Sequence, residues 1–398
     1  MGRKISISRL GAGLAFLLTL AATVFLIPKG NRAEIAGELS LTPSALPTPS
    51  IWEKVSLGQI SFGPPRVVLT DNLGFRIVGW ISNNEVLILR DTKPGGHGEA
   101  IEIFNAKTGE VRRLVEGRIW GKPLWSPWAR AIAYLLYNEE KTMELVWHPI
   151  DGKAEVIGSG AYQPVVLAPE GKGAMAYSPE KGRLVGKVMS PSEKGIELAF
   201  SSFAPPGSGC GWKYDTAVSP DGEWQAVYNC EHFLLMDTGK GVIKEIDLGK
   251  EWGLPRWALD AQWSPDGEKL AVVASIGDSL PRATQLLLLD LQGEHIREIE
   301  KPPGIVLSEL DWAPGGRVLL TFGDREEGGG KFTPVVFLID TESGDWRELD
   351  IFPSPVAAGP YPGSEAAWSP DGRYLLFYCS PRGVVVWRLC LSPVEVRW

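Results

Sequence analysis

The chain of 398 residues has room for one large repeat domain or two ordinary domains, and its 44% hydrophobic and 22% charged residues are typical of a globular protein. The formal net charge is −8, and the first 32 residues hold five bases and no acid, so the remainder is more acidic still. This acidic field repels polyanions and argues against nucleic acid as a partner.

The N-terminus has the pattern of an export signal. Three basic residues precede an uncharged apolar run, residues 10–27, that ends at Pro28. A run of this length just spans a bilayer. The pattern predicts a short cytoplasmic stretch, 1–9, and a single transmembrane signal-anchor helix, 10–28, with the rest of the chain on the extracytoplasmic side of the cell membrane. Cleavage near Ala21 is the alternative and would give a secreted protein.

Residues 29–55 form the next segment, which is rich in proline, serine and threonine between Leu41 and Ser50. Such a composition favours an extended, semi-rigid chain. We expect a linker that holds the following domain, residues 56–398, away from the membrane.

A short turn motif recurs seven times in residues 56–398. Its full form, Trp-Ser-Pro-Asp-Gly, stands at Trp263–Gly267 and Trp368–Gly372, and Val218–Gly222 differs only in its first residue. The copies are 42 to 56 residues apart, which is the length of a four-stranded propeller blade. The Ser or equivalent residue of each copy is at position 82, 126, 168, 219, 264, 313 or 369.

The motif suits a tight turn between two strands. Proline presets φ at the first corner, aspartate suits the next, and glycine accepts the left-handed position. Apolar runs such as Lys269–Val273 follow the turns and are typical of strands. We therefore predict an all-β fold, a β-propeller of seven blades with six as the alternative. Either Arg66–Thr70 or Val394–Trp398 would supply the outer strand that closes the ring, and the sequence leaves this choice open.

These turns resemble the repeats of the TolB-like family of WD40-like β-propellers, over about residues 75–398. The resemblance implies an extracytoplasmic propeller that works through protein partners. The TolB propeller has six blades, whereas seven turns are counted here, as in the propeller domain of prolyl-oligopeptidase-like enzymes. The motif tryptophans share nearly one repeat position, and we expect them to pack between blades as core. They are Trp80, Trp125, Trp263, Trp312 and Trp368.

Four cysteines in an exported protein permit two disulfides. If the turn at 219–222 joins two strands so that Val218 faces Glu223, Cys230 faces Gly211, next to Cys210. This register predicts a Cys210–Cys230 disulfide. The same arithmetic places Cys390 opposite about residue 373, so Cys379 and Cys390 are expected to be unpaired.

Enzyme signatures are not recognisable in the sequence. It has neither a Gly-x-Ser-x-Gly elbow nor a phosphate-binding Gly-x-x-x-x-Gly-Lys loop. The four histidines stand at unrelated repeat positions, which does not suggest a metal site. We therefore predict a protein that is not an enzyme and needs no cofactor or metal.

In the last four repeats an acid stands four residues before the Ser or equivalent residue of the motif. The first strand of a propeller blade is innermost, so equal offsets place these acids at one height around the channel mouth. They would bind a cation or basic ligand, or alternatively bond to backbone and neighbouring blades. The corresponding residue of the second repeat is Lys122. The four acids are Asp215, Asp260, Glu309 and Glu365.

Aromatic residues occupy the segments that lead into the first strands. These segments share one face of a propeller, where aromatic side chains would form a recognition surface. The alternative is that the rings fold back onto the blades. The six aromatic residues are Trp120, Tyr162, Trp212, Trp252, Trp257 and Tyr361.

Together these patterns predict a membrane-tethered, extracytoplasmic binding module without catalysis, whose partner is a protein, peptide or glycan. One alternative is a propeller lyase or hydrolase that uses the channel-mouth carboxylates as acid and base. The other is a ligand-sensing domain that serves a separate partner.

Overall fold

The structure is a computed structural model, and the chain divides into two units, residues 1–42 and 43–398. All described residues belong to the second unit. The predicted cytoplasmic stretch and anchor, and the linker up to residue 51, lie outside them. Within the described ranges, no helix has the length and apolar character needed to cross a membrane. The structure describes residues 52–93, 98–127, 129–140, 142–159, 162–167, 174–180, 183–189, 196–199, 215–228, 233–237, 242–246, 248, 256–276, 284–290, 296–328, 332–350, 366–379 and 386–397.

The described residues form seven antiparallel sheets. Six are blades of four strands consecutive in the chain, numbered 1 to 6, and the seventh, the closing sheet, combines strands from both ends of the domain. The blade strands are β3 (Phe75–Trp80), β4 (Glu85–Arg90), β5 (Ala100–Asn105) and β6 (Val111–Glu116); β7 (Arg118–Ser126), β8 (Ala131–Tyr137), β9 (Met143–Pro149) and β10 (Glu155–Ser159); β11 (Tyr162–Leu167), β12 (Ala174–Glu180), β13 (Arg183–Met189) and β14 (Ile196–Ala199); β15 (Asp215–Val218), β16 (Trp224–Tyr228), β17 (Phe233–Asp237) and β18 (Val242–Glu245); β19 (Arg256–Trp263), β20 (Lys269–Ile276), β21 (Thr284–Asp290) and β22 (Ile296–Ile299); and β23 (Ile305–Trp312), β24 (Val318–Glu326), β25 (Phe332–Asp340) and β26 (Trp346–Glu348). The closing sheet contains β1 (Ile60–Phe62), β2 (Arg66–Asp71), β27 (Ala366–Trp368), β28 (Tyr374–Tyr378) and β29 (Trp387–Val396).

The first strand of each sheet faces a central channel. These innermost strands contact one another in the order β3, β7, β11, β15, β19, β23 and β27, and β27 contacts β3 again, so the ring is closed. Each of the seven sequence motifs falls between the first and second strands of one sheet. The predicted β-propeller is confirmed, as six blades of consecutive strands and a closing sheet.

The N-terminal part of the domain forms the outer edge of the closing sheet. Both β1 and β2 pair with β29, for example Ile60 with Val396 and Arg66 with Leu391. The other edge of β29 pairs with β28. Of the two candidate outer strands, the segment that begins at Arg66 therefore takes this place, and Val394–Val396 belongs to the third strand.

The Ser-Pro-Asp-Gly turns are held by their own side chains. In the closing sheet, the Ser369 hydroxyl donates to Asp371 Oδ1 (2.7 Å), and the Tyr374 backbone N–H donates to Ser369 Oγ (3.0 Å). Gly372 has φ +68°, a value that favours glycine. These turns contain more residues than expected, because in blade 4 Val218 pairs with Gln225 and not with Glu223. The predicted strand register was therefore wrong by two residues.

Apolar side chains of neighbouring sheets form the core between them. The motif tryptophans lie there as predicted. The indole N–H of Trp80, Trp263 and Trp312 each donates to a backbone carbonyl on the innermost strand of the preceding sheet, at 2.9–3.1 Å. Each indole thus adds a directional bond to the apolar contact between two sheets.

Cys379 and Cys390 form a disulfide, so the expectation that both are unpaired is wrong. In the structure Phe377, and not residue 373, pairs with Cys390. The Cα atoms of the two cysteines are 5.8 Å apart, within disulfide range. The predicted Cys210–Cys230 disulfide lies outside the described residues and stays a prediction.

A short N-terminal segment, here called the N-terminal clasp, packs into the seam between blade 6 and the closing sheet. It comprises two 3₁₀ turns, Trp52–Lys54 and Leu57–Gln59, and leads into β1. Trp52 is 3% exposed and lies edge-on to Trp368 with ring centroids 5.3 Å apart. A Cβ atom on Gly315 or Gly372 would overlap Trp52. The end of the predicted linker is therefore part of the folded domain.

Candidate functional site

Asp260 connects blades 5 and 6 on the channel side. A bulge at Leu259 interrupts the pairing of β19 with β20 just before it. Its carboxylate accepts hydrogen bonds from the N–H of Ala261 (2.9 Å) and, on the next blade, from the N–H of Leu310 (2.7 Å). Burial raises the pKa of Asp260 to about 6, although both N–H groups and the charge of Lys122 act in the opposite direction.

Asp311 makes the equivalent connection from blade 6 to the closing sheet. Its Oδ2 accepts a hydrogen bond from the N–H of Trp368 at 2.9 Å. Burial raises the pKa of Asp311 to about 8, and the nearby charge of Asp260 raises it further, while the Trp368 N–H and Lys122 oppose the change. Asp311 is therefore largely protonated at neutral pH, whereas Asp260 is largely ionised.

Tyr228 and Asp215 extend this site to blade 4. The Tyr228 hydroxyl accepts from the Ala261 N–H at 3.1 Å and lies 3.5 Å from Asp260 Oδ1. Burial, followed by the charges of Asp260 and Asp215, raises the pKa of Tyr228. Asp215 is paired with Tyr228 across β15 and β16 and is exposed.

Lys122 approaches the same carboxylates from blade 2. Strand β7 has three residues, 121–123, between the pairs Trp120–Leu135 and Leu124–Ala133, where β8 has only Tyr134. Gly121 has φ +78°, which lets the backbone bulge. Lys122 is exposed at the middle of this bulge, and its charge acts on both Asp260 and Asp311.

The predicted acidic group is thus brought together in part. Asp215 and Asp260 lie close enough for their charges to interact. Glu309 lies on β23, two residues before Asp311, and Glu365 is outside the described residues. The hydrogen bonds of Asp260 support the alternative that these acids bond to backbone and neighbouring blades. Among the described residues, no three His, Cys, Asp or Glu side chains are grouped as a metal ion would require.

The predicted aromatic surface is represented by one described side chain, Trp120, which is 40% exposed and stands two residues from Lys122. Tyr162 begins β11 and Trp257 lies in β19, but the side chains of both are outside the part of the chain that the structure describes. Trp212, Trp252 and Tyr361 lie outside it altogether. The surface as a whole stays a prediction.

Two residues of the site were not predicted. Asp311 stands directly before the motif tryptophan of blade 6, and the same position holds Gln262 in blade 5 and Ala367 in the closing sheet. A charged residue at an otherwise uncharged repeat position was the signal that could have identified it. Tyr228 ends the second strand of blade 4, as Tyr378 does in the closing sheet, where its hydroxyl donates to Phe75 O (2.6 Å) on blade 1. This repeated tyrosine indicates a bond between sheets.

Comparisons with solved structures identify propellers of similar extent. An oligogalacturonate lyase from Vibrio parahaemolyticus aligns with a TM-score of 0.57 and 12% identity over 84% of this chain and 96% of that chain. A putative TolB from Agrobacterium tumefaciens aligns with a TM-score of 0.42 and 16% identity over 75% of this chain and 98% of that chain. No protein-family model and no curated protein sequence matches the chain. At these identities the likeness to the lyase shows the fold alone, and the resemblance to TolB-like repeats rests on the motif residues.

The prediction that the chain is not an enzyme is contradicted by the first of these comparisons. A propeller that aligns over nearly its whole length with this chain is itself a lyase. The lack of familiar hydrolase and nucleotide motifs therefore does not exclude catalysis on this fold. What the comparisons establish for this chain is a β-propeller.

Proposed function

We propose that this chain is a membrane-tethered, extracytoplasmic propeller that binds a protein or peptide partner. A basic side chain of the partner would bind at the channel mouth. The observation that carries the proposal is that Asp260 and Asp311, on neighbouring blades, are both acted on by the charge of Lys122, while Asp215 on blade 4 acts on Asp260. These carboxyl groups already have a cation beside them within the chain. A basic side chain from outside would find the same environment.

The balance of charge supports a cationic ligand. With Asp311 largely protonated at neutral pH, Asp260 and the exposed Asp215 leave the site with a net negative charge despite Lys122. A partly enclosed acidic site attracts basic groups and speeds their association. Trp120 beside it offers an aromatic surface on which a guanidinium or apolar side chain could pack.

The test is the binding of a fluorescein-labelled lysine–glycine peptide to the full chain, measured by fluorescence anisotropy beside a glutamate–glycine peptide of equal length. We expect the Asp215→Asn variant to weaken binding of the basic peptide about 2–5-fold, as for an exposed ion pair. Asp151→Asn is the matched control. Asp151 lies in the turn between β9 and β10, is also exposed, and pairs with Arg130. Equal binding of both peptides, or equal loss in both variants, would rule out a specific basic-group site.

A second candidate function is acid–base catalysis by the two channel carboxyls. The specific observation in its favour is the separation of their pKa values, about 6 for Asp260 and about 8 for Asp311, which suits one ionised base and one protonated acid at neutral pH. The similar propeller from Vibrio parahaemolyticus is an oligogalacturonate lyase, so the fold can support cleavage of a polysaccharide.

Incubation of the full chain with a panel of neutral and acidic polysaccharides tests this candidate. New reducing ends indicate hydrolysis, and new reducing ends with ultraviolet absorbance from an unsaturated product indicate elimination. If Asp311 acts as the acid, Asp311→Asn removes this activity while Asp151→Asn retains it. Activity that survives in Asp311→Asn excludes this residue as the acid. If none of the polysaccharides in the panel is cleaved, that result counts against the catalytic candidate.

A further inference from the structure

Lys122 lies on the opposite side of the ring from the acids that it affects. In the ring of innermost strands, β7 is three places from β19 in one direction and three places from β23 in the other. The charge of a β7 side chain therefore acts on Asp260 and Asp311 from across the channel. A lysine side chain is long and flexible enough for this, and its ammonium group is a compact donor.

The local structure of β7 is specialised for this approach. The three-residue bulge at 121–123 is larger than the single-residue bulges at Leu259 in β19 and Ser308 in β23. Pro123 is buried and gives the bulge a fixed end, while Lys122 is exposed. The bulge thus presents Lys122 to the channel where the corresponding residues of blades 4, 5 and 6 are acids.

We propose that Lys122 is a built-in counter-ion that reaches across the channel and occupies the place beside Asp260 and Asp311 that a basic group of the ligand would take. This inference rests on the proposed binding function for its consequence, because a basic ligand must then displace Lys122. The placement of Lys122 beside the two carboxyls is argued separately, from the ring geometry and from the bulge in β7. Lys122 is thus a positioning and autoinhibitory residue.

The charged and titratable groups that take part come from five strands. Asp215 and Tyr228 face Asp260 from blade 4, Asp311 faces it from blade 6, and Lys122 acts on both carboxyls from blade 2. Removal of the lysine charge leaves the carboxyls with each other as neighbours, so their ionised forms become less favourable. The carboxyl groups should then keep their protons to higher pH.

Infrared titration of the full chain tests the structural part without any ligand. The C=O band of protonated buried carboxyls should disappear with midpoints near pH 6 and 8, which Asp260→Asn and Asp311→Asn assign. Lys122→Met is expected to raise both midpoints by about 0.5, and Lys122→Arg to restore them. Lys93→Met is the control, because Lys93 is 76% exposed and pairs with Glu99. Unchanged midpoints in a folded Lys122→Met variant would overturn the proposal.

Anisotropy with the lysine–glycine peptide tests the consequence. Lys122→Met should bind this peptide several-fold more tightly than the unchanged chain, and Lys93→Met should not. If the midpoints move but no variant binds the basic peptide, Lys122 is the counter-ion and the proposed partner class is wrong. If Lys122→Met binds the peptide more weakly than the unchanged chain, the autoinhibitory role is wrong.

Discussion

The seam around the closing sheet and the mouth of the channel are built from different interactions. In the seam, the N-terminal clasp places Trp52 and Val55 in a dry cluster with Trp368 and the disulfide residues Cys379 and Cys390. At the channel mouth, partly buried carboxyls hold neighbouring sheets by accepting backbone N–H bonds, and their pKa values are raised. The seam is thus built for stability, and the channel mouth keeps groups whose charge can change.

A charged network lies on the other side of the closing sheet, where that sheet meets blade 1. Asp71, at the end of β2, pairs with Arg90 on β4, and Arg90 in turn pairs with Glu102 on β5 (3.2 Å). Arg113 on β6 completes the network with a bond to the same glutamate at 3.1 Å. Glu102 is 2% exposed. The charges of this network are therefore paired with one another.

The largest expected effect comes from removal of the clasp's anchor. Trp52→Ala should lower the free energy of unfolding by about 3–5 kcal/mol, because a buried indole is lost and the site cannot refill. Urea denaturation followed by tryptophan fluorescence measures it. Trp120→Ala is the matched control in the channel region and should change stability by no more than about 0.5 kcal/mol. Comparable losses in the two variants would remove the distinction between the regions.

Disruption of the charged network should rank next. Glu102→Ala leaves two arginines without their shared partner, and we expect a loss of about 2–3 kcal/mol, below the range for a fully buried pair because both arginines are partly exposed. Glu110→Ala, in the exposed turn before β6, should have little effect. Chemical denaturation of both variants gives the comparison, and a Glu102→Ala variant as stable as Glu110→Ala would show that the network adds nothing.

The Cys379–Cys390 disulfide closes a loop of 11 residues, for which chain entropy predicts a contribution of about 2–3 kcal/mol. Replacement of both cysteines by alanine should lower the free energy of unfolding by this amount, and with it the midpoint temperature of thermal unfolding. The double variant is preferable to a reducing agent, because it leaves Cys210 and Cys230 unchanged. Peptide mapping of the unchanged chain by mass spectrometry must show the 379–390 bridge. A map with free thiols at both positions would contradict the structure here.

The smallest effect, taken per pH unit, is a pH dependence that belongs to the channel. The folded pKa of Asp311, about 8, is above the unfolded value of 3.8, so its stabilising contribution is complete below pH 3.8 and is lost as pH rises through 8. Stability should therefore fall from about pH 4 to about pH 8, with a slope of at most about 1.4 kcal/mol per pH unit from this group. Asp311→Asn should flatten that slope, since Asn still accepts the Trp368 N–H. An identical slope in the variant would place the titration elsewhere.

The fold was predictable because its repeating signal is local. Proline, aspartate and glycine act within one turn, so the spacing of the turns predicts a propeller, and the motif tryptophans fall in the core. Strand register was less predictable, since it depends on how many residues each connection contains. A difference of two residues in the turn at 219–224 shifted the pairing of blade 4, and the pairing of Cys390 with Phe377 rather than residue 373 brought it to Cys379.

The candidate site was predictable only where it follows the repeat. Asp260 stands at the predicted repeat position, but Asp311 has no acidic counterpart in the neighbouring repeats, and Tyr228 lies on a second strand. Lys122 could be recognised in the sequence because it stands at the repeat position that holds an acid in the last four repeats. Its approach to the opposite blades depends on a bulge and on ring closure, and neither is encoded in a short stretch of sequence.

The outer edge of the closing sheet has a consequence for how the protein is made. Ser61 bonds to Glu395, 334 positions later in the chain. The ribosome must therefore release almost the entire domain before this pairing can form, and until then the earliest strands have an open edge. Premature termination near the C-terminus would leave an otherwise complete set of blades unable to close, so newly made chains should depend on chaperones until their last strand emerges.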